Sequence, residues 1–218
     1  MTPPLPQHAD VLDQGFACKV AWWRRHVPDP WWPPALDALP QHPTRPAYER
    51  IARQDVFGLA DDPTPEGRVR LLLAAYIWGT GDSGFLVGRR VRVFTKTPVE
   101  VVGERLVAAA TLLDTEGAVA AYEHLLARQP LHIKYLGPAF FTKYLYFAAG
   151  QPPTVRPQPL TLDKYVARAL NKHHGWDLRD TGWSASTYGR YLNFAADQAQ
   201  AAGPDATPDA VEVALFTS

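Results

Sequence analysis

Proline punctuates this chain and limits where helices and strands can run. There are 21 prolines in 218 residues, and each one removes a backbone N–H and disrupts the interior of a helix or of a central strand. Many fall in Thr2-Pro3-Pro4-Leu5-Pro6 and Pro28-Asp29-Pro30-Trp31-Trp32-Pro33-Pro34. Residues 1–45 therefore read as an irregular wrap rich in proline and tryptophan. Residues 46–218 read as a helical domain in which proline and glycine mark the element ends.

Within that domain the spacing of apolar residues is mostly helical. Residues 46–57 have the period of a short amphipathic helix. Residues 65–78 form a second, with Thr64 as N-cap and Pro65 at the first helical position, ended by Gly79-Thr80-Gly81-Asp82-Ser83-Gly84. Residues 85–94 alternate weakly (Val87, Arg89, Val91, Val93) and are read as a small β element or an extended loop. Thr97-Pro98-Val99-Glu100 has the form of a capping box opening a helix to about residue 113. Further helices are predicted over 115–128, 140–149, 163–173, 184–202 and 208–216. The fold class is mostly α, in one compact domain or two small ones sharing an interface.

Composition excludes several classes. Hydrophobic residues make up 46% and charged residues 20%, enough for a buried core. A single cysteine, Cys18, rules out an internal disulfide framework and a four-cysteine metal or iron–sulfur site. His173-His174 lacks matching ligand spacing and is assigned to a helix C-terminus, so no metal is expected. No signal peptide and no long apolar run is visible, which predicts a cytoplasmic protein without a membrane partner. Net charge is zero, but its distribution is uneven: eight Lys/Arg stand against three acids from Lys134 to Arg190, and only acids follow. A basic face beside an acidic tail fits that pattern.

Chemistry concentrates in residues 131–170. Ile133-Lys134-Tyr135-Leu136-Gly137-Pro138 is a short apolar segment ended by a Gly-Pro turn. A turn entering a helix N-terminus presents free N–H groups to an anion, with Gly137 admitting an unusual backbone conformation and Lys134 adding charge. The helix that follows carries Lys143 among Phe140, Phe141, Tyr144, Leu145, Tyr146 and Phe147. A lysine there either snorkels to water or is desolvated, and desolvation favours the neutral, nucleophilic form of an amine. Phe147, four residues on, shares its helix face. After a proline-rich loop, Asp163 opens the next helix. Its ordinary role there is an N-cap; a carboxylate so placed also stabilises a developing positive charge on a sugar.

Leu136-Gly137-Pro138-Ala139-Phe140-Phe141-Thr142-Lys143, followed by Leu160-Thr161-Leu162-Asp163-Lys164-Tyr165-Val166-Ala167-Arg168, resembles the motif of the helix-hairpin-helix DNA glycosylases, nearest to the 8-oxoguanine branch in its short bacterial forms. The hairpin departs from the usual Gly-Val-Gly pattern, and Leu162 stands where the family has valine. The resemblance implies two helical subdomains flanking a cleft, with Lys143 as nucleophile, Asp163 as its partner and no cofactor. It also implies a monomer acting on damaged or modified duplex DNA by base flipping, attack at C1′ and β-elimination. Lys134, Gly137, Ala139, Phe141 and Lys164 would hold the DNA backbone. Phe147, Trp78, Trp183, Tyr191 and Phe216 are the candidates for the base pocket, with Tyr188 also considered.

Other functions remain open on sequence alone. Zero net charge admits action on RNA, a free nucleotide or a phage-modified base, as in an anti-phage defence accessory. The irregular hairpin admits a non-catalytic nucleic-acid-binding module. A plain helical interaction protein would place the lysine in bulk water, more than about 10 Å from Asp163, because reacting groups must share near-contact with one atom.

Overall fold

The computed structural model describes residues 5–218 and is mostly α with one small sheet. It begins with helix α1 (His8–Asp13), strand β1 (Gly15–Cys18), helix α2 (Val20–Arg24) and a 3₁₀ turn over Pro34–Ala38. The predicted irregular wrap thus contains regular elements, though Trp23, Trp31 and Trp32 are buried in the core. Residues 1–4 lie outside the described residues, so the proline cluster beginning at Thr2 is only partly represented.

Strands β2 (Gln41–His42) and β3 (Arg45–Ala52) complete a three-stranded antiparallel sheet in the order β1-β3-β2. Gly15 stands opposite Ala52, and Cys18 opposite Glu49. The helix expected over 46–57 is therefore a strand, followed by the single short helix α3 (Arg53–Phe57). The local sequence did not reveal this because β3 is central: its pairing comes from β1, some 30 residues away, and overrides weak local preference.

Helix α4 (Pro65–Thr80) is the spine of the molecule. Thr64 caps it, its hydroxyl accepting the Gly67 N–H at 3.1 Å. Residues 71–78 are all buried, because α3, β1, α7 (Val99–Glu116) and α9 (Pro138–Ala148) surround the helix. Close approach to α7 requires Gly103, where a Cβ would sit 2.7 Å from the Pro65 carbonyl oxygen.

The β element expected near 85–94 is absent. That stretch forms α5 (Gly84–Arg90) and α6 (Arg92–Thr95). Val87, Val91 and Phe94 are buried at helical spacing, which decides the matter over the weak alternation. The Thr97 capping box also does not form: α7 starts at Val99, with Pro98 in the cap position and no side-chain cap. Helices α8 (Ala118–Leu125), α10 (Lys164–His174), α11 (Ala185–Ala202) and α12 (Pro208–Phe216) follow the predicted pattern to within a few residues.

A buried polar knot joins the sheet side of the molecule to its C-terminus. The fully buried Arg53 guanidinium pairs with Glu212 of α12, and its Nε donates to Gln14 Oε1 at 2.8 Å. The other Glu212 oxygen accepts from the Thr161 hydroxyl. Burial opposes the Arg53 charge, but Glu212 and the Tyr146 hydroxyl together outweigh it and raise the pKa. A buried ion pair needs such additional partners to offset its desolvation.

Candidate active site

Helices α9 and α10 meet at Lys143 and Asp163. Lys143 lies midway along α9 and is 3% exposed. Its Nζ donates to Asp163 Oδ2 at 2.9 Å. The other carboxylate oxygen, Oδ1, accepts the backbone N–H of Tyr165 at 2.9 Å and of Val166 at 3.3 Å. One carboxylate thus caps α10 and pairs with the lysine at the same time. Burial alone would push the Asp163 carboxyl up. The Lys143 ammonium, their hydrogen bond and the two amides outweigh that and hold it below the ordinary carboxylate value.

A shared set of hydrogen bonds fixes the spacing of the two helices. The Thr142 hydroxyl accepts the Leu162 N–H at 3.1 Å, stitching the residue before Lys143 to the residue before Asp163. Tyr191 donates its hydroxyl to the Thr161 carbonyl at 3.1 Å, and Tyr188 to the Leu160 carbonyl at 3.0 Å. The strand-like approach to Asp163 is therefore held along its length. An extended segment with no sheet neighbour must find its partners in side chains.

Aromatic rings wall the amine. The Trp78 ring centroid is 5.6 Å from Lys143 Nζ and that of Phe140 is 5.9 Å away. Gly79 makes room for the lysine, since a Cβ there would lie 2.6 Å from Lys143 Cε. Beyond Trp78 a row of edge-to-face contacts runs outward: Phe16 at 5.4 Å from Trp78, Phe216 at 5.8 Å from Phe16, and Tyr165 at 5.6 Å from Phe216. Phe16 and Phe216 are half-buried and Tyr165 is exposed, so this row links the amine to the surface. On its inner side Trp78 meets Phe147 at 5.4 Å and donates its indole N–H to the Gln14 carbonyl at 3.2 Å.

The sequence-derived pocket candidates separate into two groups. Trp78 and Phe216 stand in the row leading to the amine. Phe147 is fully buried beneath Trp78 and packs on Phe57 at 4.9 Å. Tyr191 supports the Asp163 segment from behind. Trp183 is tied to α8 and to the loop between α10 and α11 instead: its indole donates to the Arg179 carbonyl, and its own carbonyl accepts from Tyr122. Phe16, Gly79, Arg53 and Glu212 were not singled out in the sequence. Gly79 carried a signal, standing in the glycine run after α4. Phe16 carried none, because its neighbours at the site come from α4 and α12.

The hairpin before α9 differs from expectation. Gly137 is in an extended conformation with φ −96°, and a Cβ there would meet nothing within 4 Å. The left-handed turn is taken by Tyr135, φ 70°. Amides of Phe140 and Phe141 donate to the Gly137 carbonyl, and Pro138 has no N–H. The first turn therefore offers an anion fewer donors than a free helix end would. Phe141 turns its ring inward onto Tyr122 at 4.8 Å. Lys134 and Lys164 are exposed, each lying over a neighbouring tyrosine ring.

A recess of about 800 Å³ opens at the far end of α10, lined by Leu5, His174, Phe194 and Leu215 among others. Eleven residues of helix place it about 16 Å from Asp163. None of the residues around Lys143 lines it.

A family model described as "Putative 8-oxoguanine DNA glycosylase OGG-like protein" matches residues 9–216, nearly the whole chain, and the chain belongs to that family. Neither a curated protein nor a solved structure matches it. Among the described residues no helix is long and apolar enough to cross a membrane.

Proposed function

We propose that this chain is a DNA glycosylase with an associated β-lyase step, removing oxidised or otherwise modified guanine through Lys143 and Asp163. The carrying observation is the 2.9 Å contact between Lys143 Nζ and Asp163 Oδ2, closed off by Trp78 and Phe140. Family membership supplies DNA as the class of substrate.

The chemistry follows from the pair. An ammonium has no free electron pair, so attack begins with loss of a proton from Nζ, and the Asp163 carboxylate is the acceptor within reach. Nζ then bonds to the sugar C1′, and the C1′–N bond breaks with its electrons leaving on the base, which takes up a proton. Asp163 hands the proton it took from Nζ to the departing base and, a carboxylate once more, stabilises the positive charge that develops on the sugar. Ring opening converts the C1′ adduct to a Schiff base. Loss of a proton from C2′ and of the 3′-phosphate then nicks the strand. The flipped base would be received by Trp78, Phe16 and Phe216, where an aromatic face replaces the stacking lost from the helix.

Borohydride reduction provides the test. With duplex DNA containing 8-oxoguanine or an abasic site, wild type should give a covalent adduct of protein and DNA, and Lys143→Gln should give none. Adduct formation that persists in Lys143→Gln, or none with wild type across a panel of modified purines, would overturn the assignment.

A further inference from the structure

Phe85 is 94% exposed, on the first turn of α5. An isolated surface phenylalanine is unremarkable when its backbone is loose, but this one is braced. At Gly84 a Cβ would lie 2.8 Å from the Trp22 ring. Asp82, in the preceding loop, pairs with Arg45 of β3. At the other end of α5 the Arg90 guanidinium lies over the Phe140 ring at 4.6 Å. The same frame borders the amine: Gly79 touches the Lys143 side chain and Phe140 walls it. Val87 on the opposite face of α5 is buried, so the helix has its apolar side inside and presents Phe85 outward in addition.

The surface around it is cationic. Arg89, Arg92 and Lys96 are exposed, and no acid lies between residues 84 and 96. None of these three pairs with a carboxylate among the described residues. Arg92 and the exposed Lys134 both lie over the Tyr135 ring of the hairpin, at 5.8 and 5.3 Å. In a chain of zero net charge this is a local positive field beside the site. It complements a polyanion better than a second copy of the chain.

We infer that Phe85 is the wedge that enters the base stack of duplex DNA beside the nucleotide presented to Lys143, and that it fills the vacated space without reading the opposite base. This rests on the glycosylase reading above. A phenyl ring can take over stacking lost when a base leaves the helix, but it has no polar atom with which to tell one orphaned base from another. Of the neighbouring arginines, Arg90 is laid over Phe140 and Arg92 over Tyr135, while Arg89, four residues on from Phe85 and on the same face of α5, is assigned to the backbone phosphates.

The test uses Phe85→Ala, a change at a fully solvated ring that leaves the core intact. Binding is measured to a duplex carrying a stable abasic analogue with 2-aminopurine opposite it, and to the matching single strand. Borohydride trapping is then measured on true abasic sites in both. Phe85→Ala should weaken duplex binding relative to single-strand binding by about 10-fold or more. It should also abolish the 2-aminopurine fluorescence change and lower the ratio of duplex to single-strand trapping. Wild-type excision rates should differ little among the four opposite bases. Unchanged duplex affinity and fluorescence in Phe85→Ala, or loss of self-association in place of duplex binding, would overturn the wedge. Excision that varies about 100-fold with the opposite base would overturn the claim that this base goes unread. Absence of trapping by wild type on any substrate would instead count against the glycosylase reading, and the binding and fluorescence results would still decide the role of Phe85.

Discussion

Asp163 divides its two oxygens between the N-terminus of α10 and the amine of Lys143. Capping and ion pairing are usually alternative explanations for an aspartate at a helix start. Here one oxygen serves each, so the helix cap sets the direction from which the carboxylate reaches the lysine.

Replacing Asp163 therefore separates the two roles. Asparagine caps a helix about as well as aspartate, so Asp163→Asn should keep α10 intact by circular dichroism. It should still lower single-turnover base excision by about 10²- to 10⁴-fold, the range for loss of a general acid or base. Asp163→Ala should lose the cap as well, for about 1 kcal/mol, with a further cost from a buried ammonium left unpaired. Equal activity in Asp163→Asn and wild type would reduce Asp163 to a cap.

Gly79→Ala tests how tightly the lysine is placed. The new Cβ would lie 2.6 Å from Lys143 Cε and 2.8 Å from Cδ, with the Phe140 ring at 3.1 Å. The far end of the lysine must swing aside, which costs the fold little, and alanine in place of glycine favours a helix by up to about 1 kcal/mol. Urea melts should shift little, while trapping falls about 100-fold, as for a reacting atom displaced by about 1 Å.

Arg53 and Glu212 should behave as one unit. Removing either partner strands a buried charge, so Arg53→Met or Glu212→Gln alone should cost about 3–5 kcal/mol in chemical denaturation. The double variant Arg53→Met with Glu212→Leu should cost clearly less than the sum of the single changes. Because Glu212 accepts from Thr161, two residues before Asp163, variants that still fold should also lose excision activity.

Acid should weaken the native state through Asp163. Its carboxyl is held below the ordinary value of 3.8. Its contribution is therefore complete above that value and is lost as pH falls below about 4 toward the folded-state pKa. The denaturation midpoint of wild type should drop across that interval. In Asp163→Asn the drop should be smaller.

Cys18 is fully buried in β1, and burial, with Glu49 and Asp55 nearby, pushes its thiol up to about 12. The thiolate is the reactive form. Native protein at pH 8 should therefore be inert to a disulfide reagent such as DTNB and react stoichiometrically once unfolded. Rapid labelling of the native protein would show that the sheet opens readily.

Much of the helical framework was legible in local sequence, because caps, prolines and apolar spacing act within a few residues. Thr64-Pro65 marked a helix start found in the fold, and the helices expected from residues 184 and 208 begin within one residue of those positions. Residues 46–52 and 85–94 misled for opposite reasons. The first became a strand through pairing with distant β1 and β2. The second hid helical burial under weak alternation.

What the sequence determined by itself was the chemical identity of the pair and the helices that bear it: a lysine in an aromatic helix and an aspartate at the next helix start. Only the tertiary structure decided that they touch, that Gly79 and Trp78 of α4 enclose the amine, and that Phe16 and Phe216 stand beyond Trp78 in one aromatic row. Those neighbours come from residues 16, 78, 79 and 216, and side chains so far apart along the chain meet only through long-range packing, which leaves no local period or spacing to read.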